Sequence, residues 1–172
     1  IDGNVSRTNN FRKDPLVLTG SSEEKDFFTK TKQKSGKTIY DGYGYDRGHL
    51  APSADFRWSK NALSESYFYS NMSPQLPEFN REGWAELENF LRSYIYENNV
   101  ELHVLTGPIL NQDLGKIDKS INQISIPNFF YKIAIDFINN RSIAFLMPNK
   151  KLDYPLEYYV TSIDSIENSS DL

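Results

Sequence analysis

The sequence contains no cysteine and only two histidines, His49 and His103. The absence of cysteine excludes a disulfide scaffold, an iron–sulfur cluster and every zinc site built on thiolates. Two histidines are also too few for an imidazole-rich metal site. Any metal bound by this chain must therefore be held mainly by oxygen ligands.

Long apolar runs are missing as well. None approaches the roughly 18–20 residues that cross a bilayer as a helix, so we expect a soluble chain with no membrane partner. The chain has 172 residues, of which 38% are hydrophobic and 24% are charged. This composition excludes general disorder and is sufficient for a core. We therefore predict one domain over residues 1–172.

Charge is unevenly distributed along the chain, although the net charge is only −4. Residues 1–60 contain eleven Lys and Arg against eight Asp and Glu, whereas residues 61–172 contain eight against fifteen. The acidic total predicts weak, salt-sensitive capture of a polyanion, which the basic N-terminal third partly offsets. The densest basic stretch can equally be interpreted as a solvated loop. It contains Lys25, Lys30, Lys32, Lys34 and Lys37.

Hydrophobic periodicity predicts one long helix and several strands. After Pro77 an apolar stripe at helical spacing predicts an amphipathic helix that ends near Asn98. The stripe consists of Trp84, Leu87, Phe90, Leu91, Tyr94 and Ile95. Runs rich in β-branched and aromatic residues predict strands at 102–110, 124–137 and 143–147. We expect an α+β fold in which a central antiparallel or mixed sheet packs against the long helix.

The two ends of the chain differ from its middle. Residues 1–48 show little periodicity and predict loops with short strands. The chain begins at Ile1 rather than Met, with neither a basic nor an apolar leader segment, which predicts a processed or trimmed N-terminus. Residues 168–172 are small and polar and predict a frayed tail.

The densest set of reactive side chains lies in the string DRGHLAPSADF, which begins at Asp46. His49 has an acid, a base and a glycine as near neighbours, a combination useful to catalysis. An isolated DRGH string fits a hydrogen-bonded structural histidine in a turn at least as well. Ser53 lies close by, but no nucleophile elbow surrounds it, which argues against a Ser–His hydrolase. His103 lies in an alternating pattern that predicts a structural strand residue.

A second motif, SNMSPQLPEFNREGWAELE, spans residues 70–88. Asn80 falls near the predicted helix start, where it can serve as an N-cap or offer a hard oxygen to Mg²⁺ beside a phosphate. On an ideal α-helix Glu88 lies roughly 80° around and roughly 12 Å along the axis from Asn80, so both cannot grip one bare ion. Glu88 can instead hold a metal-bound water, or be a solvated carboxylate.

Together the two motifs resemble the signature of the DNA/RNA non-specific endonuclease family, the ββα-metal nucleases that include endonuclease G. Further strings are similar to the family's segments in the family's order, namely RTNNFRKDP, VLTGPIL, IPNFFYKIAID, IAFLMPN and TSIDSIE. The resemblance covers nearly the whole chain and implies an α+β fold with a ββα-metal motif. The family usually has more strand-forming sequence ahead of Arg7, so we expect the border of the sheet to be built differently here.

The resemblance implies a role for each residue at a matching position. His49 matches the general base that takes a proton from the attacking water. Asn80 matches the single protein ligand of a Mg²⁺ ion, for which Mn²⁺ is an expected substitute. Glu88 matches the carboxylate that orients the waters on that ion.

Other matching positions imply contacts with the phosphate and support for the site. Arg47 is similar to the arginine that contacts the phosphate, and Asn71 is similar to the asparagine that buttresses the site. The family often uses a further upstream arginine, for which both Arg7 and Arg12 are candidates.

The resemblance implies a Mg²⁺-dependent, sugar-non-specific endonuclease that cuts DNA and RNA to 5′-phosphate ends. Two alternatives stay open, which are a catalytically weak or inhibitor-controlled nucleic-acid-binding module and a hydrolase of another phosphodiester. DNA and RNA are the expected partners, with an inhibitor protein as a further candidate. The family's habits and the missing start Met suggest a secreted or periplasmic location.

Overall fold

The computed structural model describes residues 3–110 and 113–170. Within them, strands β1–β8 cover Phe28–Lys32, Thr38–Gly42, Asp46–His49, Met72–Gln75, His103–Pro108, Phe129–Asp136, Arg141–Pro148 and Val160–Thr161. Helices α1–α3 cover Lys60–Glu65, Ala85–Asn98 and Ile163–Ser170. A π-helical turn covers Phe79–Trp84 and directly precedes α2. No helix in this described part of the chain is long and apolar enough to cross a bilayer.

Internal contacts group the chain into two compact units. The first comprises Ile1–Pro74 and Gly115–Ile126, and the second comprises Gln75–Leu114 and Pro127–Leu172. Each unit has its own cluster of buried apolar side chains. The single domain predicted over residues 1–172 stays a prediction.

The first unit contains two pairs of strands. β1 and β2 form an antiparallel hairpin, and β3 pairs with β4. Of the lysine-rich stretch that fits a solvated loop, Lys25 lies in a short helical turn ahead of this hairpin, Lys30 and Lys32 lie in β1, and Lys34 and Lys37 lie between its strands. Threonines at 29 and 31 alternate with the lysines of β1, and Ile39 and Tyr40 follow in β2, so β-forming residues favour this hairpin. The interpretation as a loop is therefore wrong for Lys30 and Lys32, and it holds for Lys34 and Lys37; all of these lysines are exposed.

A buried carboxylate ties residues 120–122 to the start of the hairpin. Asp26 is fully buried and accepts hydrogen bonds from the Ser120 hydroxyl at 2.6 Å and from the backbone and side chain of Asn122 at 2.9 and 2.8 Å. The backbone N–H of Glu23 donates to the same carboxylate at 2.7 Å. These bonds explain why residues 115–126 belong to the first unit.

The second unit is built on a four-stranded antiparallel sheet in the order β5-β6-β7-β8. Aromatic contacts join the helical segment to this sheet: Trp84 contacts Phe130 with ring centroids 5.8 Å apart, and Phe90 contacts Phe145 at 6.2 Å. The α+β class is therefore confirmed, with β5, β6 and β7 at the three predicted strand positions. His103 begins β5, as the alternation predicts.

The predicted amphipathic helix is confirmed from Trp84 onward. Trp84, Leu87 and Leu91 are buried, although Phe90 is 43% exposed. At the C-terminus, residues 168–170 belong to α3, and the predicted fraying of the tail stays a prediction. Ile166 is fully buried and anchors that helix. Residues 171 and 172 lie outside the described residues.

Candidate active site

His49 is the last residue of β3, two positions after Arg47. Since alternate side chains of a strand lie on one face, the imidazole and the guanidinium share a face of β3. Phe11 contacts both groups. Its ring centroid lies 3.5 Å from Cζ of Arg47 and 5.9 Å from the centre of the His49 ring. One aromatic side chain therefore holds the two candidate catalytic groups beside each other.

A second aromatic side chain completes the surroundings of His49. The ring of Tyr67 is fully buried and stands perpendicular to the imidazole, with centroids 5.1 Å apart. The Tyr67 hydroxyl accepts a hydrogen bond from Nε of Arg7 at 3.0 Å. Tyr67 thus links the candidate base to one of the two candidate upstream arginines.

Burial and positive charge keep His49 neutral. Burial lowers the pKa of His49 from 6.5 to about 4, and the charges of Arg7 and Arg47 act in the same direction. Burial removes the imidazolium from water, and two nearby cations repel it further. The ring is therefore an unprotonated proton acceptor at neutral pH.

The guanidinium of Arg47 is held between aromatic rings. Besides its contact with Phe11, its Cζ lies 5.1 Å from the centroid of Phe28. A planar guanidinium stacks well on aromatic faces while its N–H groups stay available at the edge. Burial raises the pKa of the neighbouring Tyr69 hydroxyl, and a hydrogen bond with Arg47, together with the charge of Arg47, opposes that rise. The arrangement suits an arginine that contacts an anion.

Asn71 supports the segment that follows His49. Its Oδ1 accepts from the Ala51 N–H at 2.9 Å, and its Nδ2 donates to the carbonyls of Ala51 and Ser66 at 2.9 Å each. The Leu50 N–H also donates to the Asn71 carbonyl at 3.0 Å. Asn71 therefore fixes the backbone on the C-terminal side of the imidazole.

The two upstream arginines lie in different surroundings. Arg12 donates from Nη1 to the carbonyls of Asn10 at 3.2 Å and Ser64 at 2.7 Å, and its Cζ lies 4.1 Å from the Phe68 ring centroid. These bonds occupy the guanidinium in local structure. Arg7 instead lies next to Tyr67 and acts electrostatically on His49. Arg7 therefore belongs to the His49 cluster.

The candidate metal ligands lie in the second unit, on the helical segment after β4. Asn80 falls inside the π-helical turn, and its N–H donates to the Leu76 carbonyl at 2.9 Å. The Leu76 N–H in turn donates to Oδ1 of Asn149 at 2.9 Å, and Nδ2 of Asn149 donates to the Pro127 carbonyl at 2.9 Å. The backbone that leads into Asn80 is thus clamped by a side chain that follows β7.

The π-helical turn changes the relation between Asn80 and Glu88. A π-helical turn holds about one residue more than an α-helical turn, because its hydrogen bonds join residues five apart rather than four. The eight residues from Asn80 to Glu88 therefore make close to two complete turns. On ideal geometry the π-helical turn removes most of the roughly 80° offset expected for a regular α-helix, which favours Asn80 and Glu88 on one face of the helical segment.

Glu88 is only 14% exposed and lies 3.9 Å from Nη2 of Arg92 as an i,i+4 ion pair. Side chains on a helix generally lean toward its N-terminus, which for Glu88 is the direction of the π-helical turn. Glu88 is therefore not a freely solvated carboxylate on a helix surface.

The donor chemistry of this helix face fits a hard divalent cation. An amide oxygen at Asn80 and a carboxylate at Glu88 are the ligand types that Mg²⁺ and Mn²⁺ prefer. Among residues 3–110 and 113–170, no three His, Asp or Glu side chains form a cluster that could hold a metal ion. A site based on one amide oxygen uses water for its remaining ligands, since Mg²⁺ dehydrates reluctantly.

Sequence reasoning missed three residues that contact the candidate groups. Phe11 and Tyr67 pack against His49, and Arg92 pairs with Glu88. A signal exists for Arg92, because it lies four positions after Glu88 on the predicted helix. Phe11 lies in the family-like string RTNNFRKDP, but nothing in that string predicts its contact with β3, which arises from the fold.

Comparison with known proteins places this chain in one family. The model of the DNA/RNA non-specific endonuclease family matches residues 2–172. Mitochondrial endonuclease G from Bos taurus is 35% identical over 148 residues, which cover 77% of this chain and 48% of that protein. A nuclease from Nostoc sp. is 31% identical over 178 residues, which cover 96% of this chain and 59% of that protein. The chain thus spans about half the length of these relatives.

A solved structure of the EndoG/EndoGI complex has a chain similar in fold, with a TM-score of 0.65 and 28% sequence identity. The match covers 75% of this chain and 58% of that chain. In chain order, β3, β4 and α2 supply the two strands and the helix of the expected ββα motif. Because the family model matches the chain from residue 2 to residue 172, the chain belongs to the DNA/RNA non-specific endonuclease family.

Proposed function

We propose that this chain is a metal-dependent endonuclease that hydrolyses phosphodiester bonds in DNA and RNA and leaves 5′-phosphate ends. One observation carries the proposal. Arg47 and His49 share a face of β3 and both contact Phe11, so an anion-binding group and a neutral base lie side by side. Phosphodiester hydrolysis needs both of these groups.

His49 is proposed as the general base that takes the proton of the attacking water. Its lowered pKa keeps it unprotonated, which makes it available but intrinsically a weaker base. A phosphate bound by Arg7 and Arg47 neutralises the charges that help to lower this pKa. Substrate binding therefore raises the basicity of His49 at the moment when a proton must be accepted.

Arg47 and Arg7 are proposed to bind the oxygens of the scissile phosphate. A guanidinium offers a planar, paired set of N–H donors that match two oxygens of one phosphate. Phe11 and Tyr67 restrict the two arginines, so little side-chain entropy is lost when the substrate binds. Asn71 is proposed as a positioning residue, because its bonds reach only the backbone around His49.

Asn80 is proposed to hold a Mg²⁺ ion directly, and Glu88 to orient water molecules on it. When bound, Mg²⁺ supplies positive charge for the phosphoryl oxygens and for the departing 3′ oxygen. The neutral amide of Asn80 leaves the charge of the ion almost undiminished. The same neutrality predicts weak retention, so activity should require added Mg²⁺, with Mn²⁺ as a substitute.

The test is cleavage of supercoiled plasmid and of a structured RNA by the purified chain in Mg²⁺, with and without EDTA. We expect cleavage of both substrates, its loss in EDTA, and at least about a hundredfold loss in His49→Ala. His103→Ala is the matched control, since His103 is an exposed strand residue. Wild-type activity in a folded His49→Ala chain would rule out the assigned base.

Other outcomes favour the alternatives. A gel shift without cleavage in saturating Mg²⁺ and Mn²⁺ would indicate a binding module. Cleavage of a small chromogenic diester but of no polynucleotide would indicate a different phosphodiester substrate. The solved EndoG was bound to EndoGI, so an inhibitor of this chain is a reasonable search target but stays a prediction. A secreted or periplasmic location also stays a prediction, since the bovine relative is named as a mitochondrial protein.

A further inference from the structure

The hairpin formed by β1, its turn and β2 has no assigned role in the proposed reaction. This lysine hairpin, residues 28–42, contains four lysines and one aspartate, a formal charge of +3 in a chain whose net charge is −4. Every residue in it except Phe28 is exposed. It is thus a concentrated positive surface on an otherwise acidic protein.

One face of the hairpin is organised around Lys30. The strand register places Lys30 opposite Tyr40, and Phe28 precedes Lys30 by two positions on the same face. The rings of Phe28 and Tyr40 contact each other at 5.6 Å, and Nζ of Lys30 lies 5.8 and 5.5 Å from their centroids. Lys30 also donates to Glu24 at 2.5 Å. Lys30 therefore stiffens the hairpin, and its charge is largely compensated.

The lysines nearer the tip are differently placed. Lys32 ends β1, and Lys34 and Lys37 lie in and beside the turn. The turn is closed by hydrogen bonds from the Gln33 N–H to the Lys37 carbonyl at 2.8 Å and from the Gly36 N–H to the Gln33 carbonyl at 2.9 Å. Gly36 has φ +85°, which a residue without a Cβ adopts readily.

None of these three tip lysines has a side-chain hydrogen bond or ion pair with a residue that the structure describes. Their charges are therefore not compensated by a described partner. Three uncompensated cations on one ordered turn form a surface that attracts a flexible or repetitive anion more than a single small one.

The lysine hairpin is connected to the candidate active site within the same unit. Phe28 lies 5.1 Å from Cζ of Arg47 and 5.6 Å from the ring of Tyr40. A continuous series of contacts therefore runs from the proposed phosphate-binding arginine to the base of the hairpin. A polyanion bound at Arg47 would therefore lie beside the base of the lysine hairpin.

We propose that the lysine hairpin binds the sugar–phosphate backbone of a polynucleotide substrate outside the cleaved bond. This inference rests on the proposed function and assigns the hairpin a role in substrate capture. The phosphates of a nucleic acid repeat about every 3.4 Å of axial rise per strand, so several cations on one surface can contact successive phosphates. Exposed lysine side chains suit such sequence-independent phosphate contacts. The hairpin supplies part of the attraction that the acidic total charge would otherwise oppose.

The test compares two triple variants with equal loss of charge. The tip variant is Lys32→Gln, Lys34→Gln, Lys37→Gln. The control variant is Lys60→Gln, Arg141→Gln, Lys151→Gln, which removes three exposed cations elsewhere. Binding of a fluorescent duplex of about 30 base pairs is measured by anisotropy in EDTA, in a His49→Ala chain, from about 50 to 200 mM salt.

We expect the tip variant to bind at least about tenfold more weakly at low salt, and its plot of log affinity against log salt to be shallower by about 2–3. The control variant should stay within about threefold in affinity, with a slope change below about 1. A third variant with Arg at all three tip positions should restore the slope, which separates charge from damage to the turn. Circular dichroism confirms that each variant is folded.

Equal behaviour of the tip and control variants would overturn the inference. A tip variant that binds the duplex normally but loses affinity for an acidic inhibitor protein would also overturn it, because the hairpin would then serve the inhibitor. Failure of the proposed function gives a different result. In that case the chain with His49 intact does not cleave nucleic acid in Mg²⁺, whether or not duplex binding depends on the hairpin.

Discussion

The side-chain amide of Asn71 pairs with both backbone groups of Ala51, accepting from its N–H and donating to its carbonyl at 2.9 Å each. Ala51 lies two residues after His49, so this pair fixes the direction in which the chain leaves the proposed base. A reactive group would keep a polar atom available for substrate. The side-chain amide of Asn71 instead forms hydrogen bonds with the protein backbone, which fits a residue that positions the proposed base rather than one that reacts.

Asn71→Asp tests this support with almost no change in shape. The substitution removes the Nδ2 donor and places a carboxylate beside the carbonyls of Ala51 and Ser66. Each unsatisfied buried carbonyl costs about 1–3 kcal/mol, which corresponds to a fall in Tm of roughly 3–10 °C. We also expect nuclease activity to fall at least about tenfold, because the base is misplaced. Calorimetry and plasmid cleavage measure the two effects.

Asn61→Asp is the control, since it makes the same chemical change at an exposed position of α1. It should leave Tm and activity close to those of the wild type. Unchanged Tm and activity in Asn71→Asp would contradict the positioning role.

The low pKa of His49 predicts a characteristic pH dependence. As a general base His49 must be neutral, so kcat/KM should fall only as the pH is lowered toward about 4. Arg7→Gln removes one of the charges that lower this pKa and should move both the acid limb and the NMR titration of the His49 ring to higher pH. His103→Gln assigns the second histidine signal. An unchanged titration in Arg7→Gln would contradict the electrostatic link.

The lowered pKa of His49 also makes the stability of the folded chain depend on pH. The unfolded chain has a histidine pKa near 6.5, whereas that of His49 in the folded chain is about 4. Between these values the unfolded state binds more protons, so the free energy of unfolding falls as the pH is lowered. His49→Gln should reduce this slope in urea unfolding measured between about pH 7 and pH 4.

Asp26→Asn tests the link between residues 120–122 and the hairpin base. Burial raises the pKa of Asp26, but hydrogen bonds from Ser120, Asn122 and Glu23 outweigh it, so the pKa is lowered overall. The stabilisation is therefore present above the ordinary pKa of an aspartate and is lost as the pH falls through the lowered value. The substitution places a side-chain NH₂ group among hydrogen-bond donors that it cannot accept from. We therefore expect Tm at pH 7 to fall by roughly 5 °C or more.

Asp118→Asn is the matched control, since Asp118 is an exposed residue of the same segment. Its Tm should change by less than about one degree. If Asp26→Asn and Asp118→Asn had the same Tm at pH 7, the buried carboxylate would not be the link that the contacts indicate.

The helix shows which features the sequence can reveal. From Trp84 onward the apolar residues have α-helical spacing, so α2 was predictable. Upstream, Phe79 and Trp84 are both buried and are five positions apart in the sequence, with ring centroids 5.3 Å apart. That spacing is typical of a π-helical turn. A single apolar residue, Phe79, ahead of the apolar stripe that begins at Trp84 is too little to identify such a turn from the sequence. For this reason nothing in the sequence favoured replacing the regular α-helical geometry assumed between Asn80 and Glu88.

The candidate site divides in the same way. His49, Arg47 and Asn80 lie in two short motifs that resemble a family signature, so they could be named as candidate site residues from the sequence. Phe11 is far from β3 in sequence, and its contacts with Arg47 and His49 depend on the tertiary fold. An isolated phenylalanine carries no local pattern that predicts such contacts. Long-range packing around a motif is therefore the part that sequence reasoning missed.

Gly83→Ala tests the packing that supports the π-helical turn. A Cβ at Gly83 would lie 2.3 Å from Cδ1 and 2.6 Å from Cγ of Leu152. Overpacking costs about 1–3 kcal/mol, whereas the gain in helix propensity is only about 1 kcal/mol, so we expect a net loss of stability. Addition of Leu152→Ala removes the clash. A double-mutant cycle from urea unfolding should give a coupling of about 1 kcal/mol, and strict additivity would contradict the contact.

Asn80→Asp tests the proposed metal ligand by changing only its charge. A carboxylate binds a hard cation more tightly than an amide does, so the half-saturating Mg²⁺ concentration should fall about tenfold or more. The same negative charge reduces the electrophilic strength of the ion, so kcat at saturating Mg²⁺ should fall. Asn89→Asp, an exposed position on α2, adds the same charge away from the predicted ligand and should change neither value more than about twofold. A parallel response of both variants would mean that general charge, rather than ligation at Asn80, sets the metal dependence.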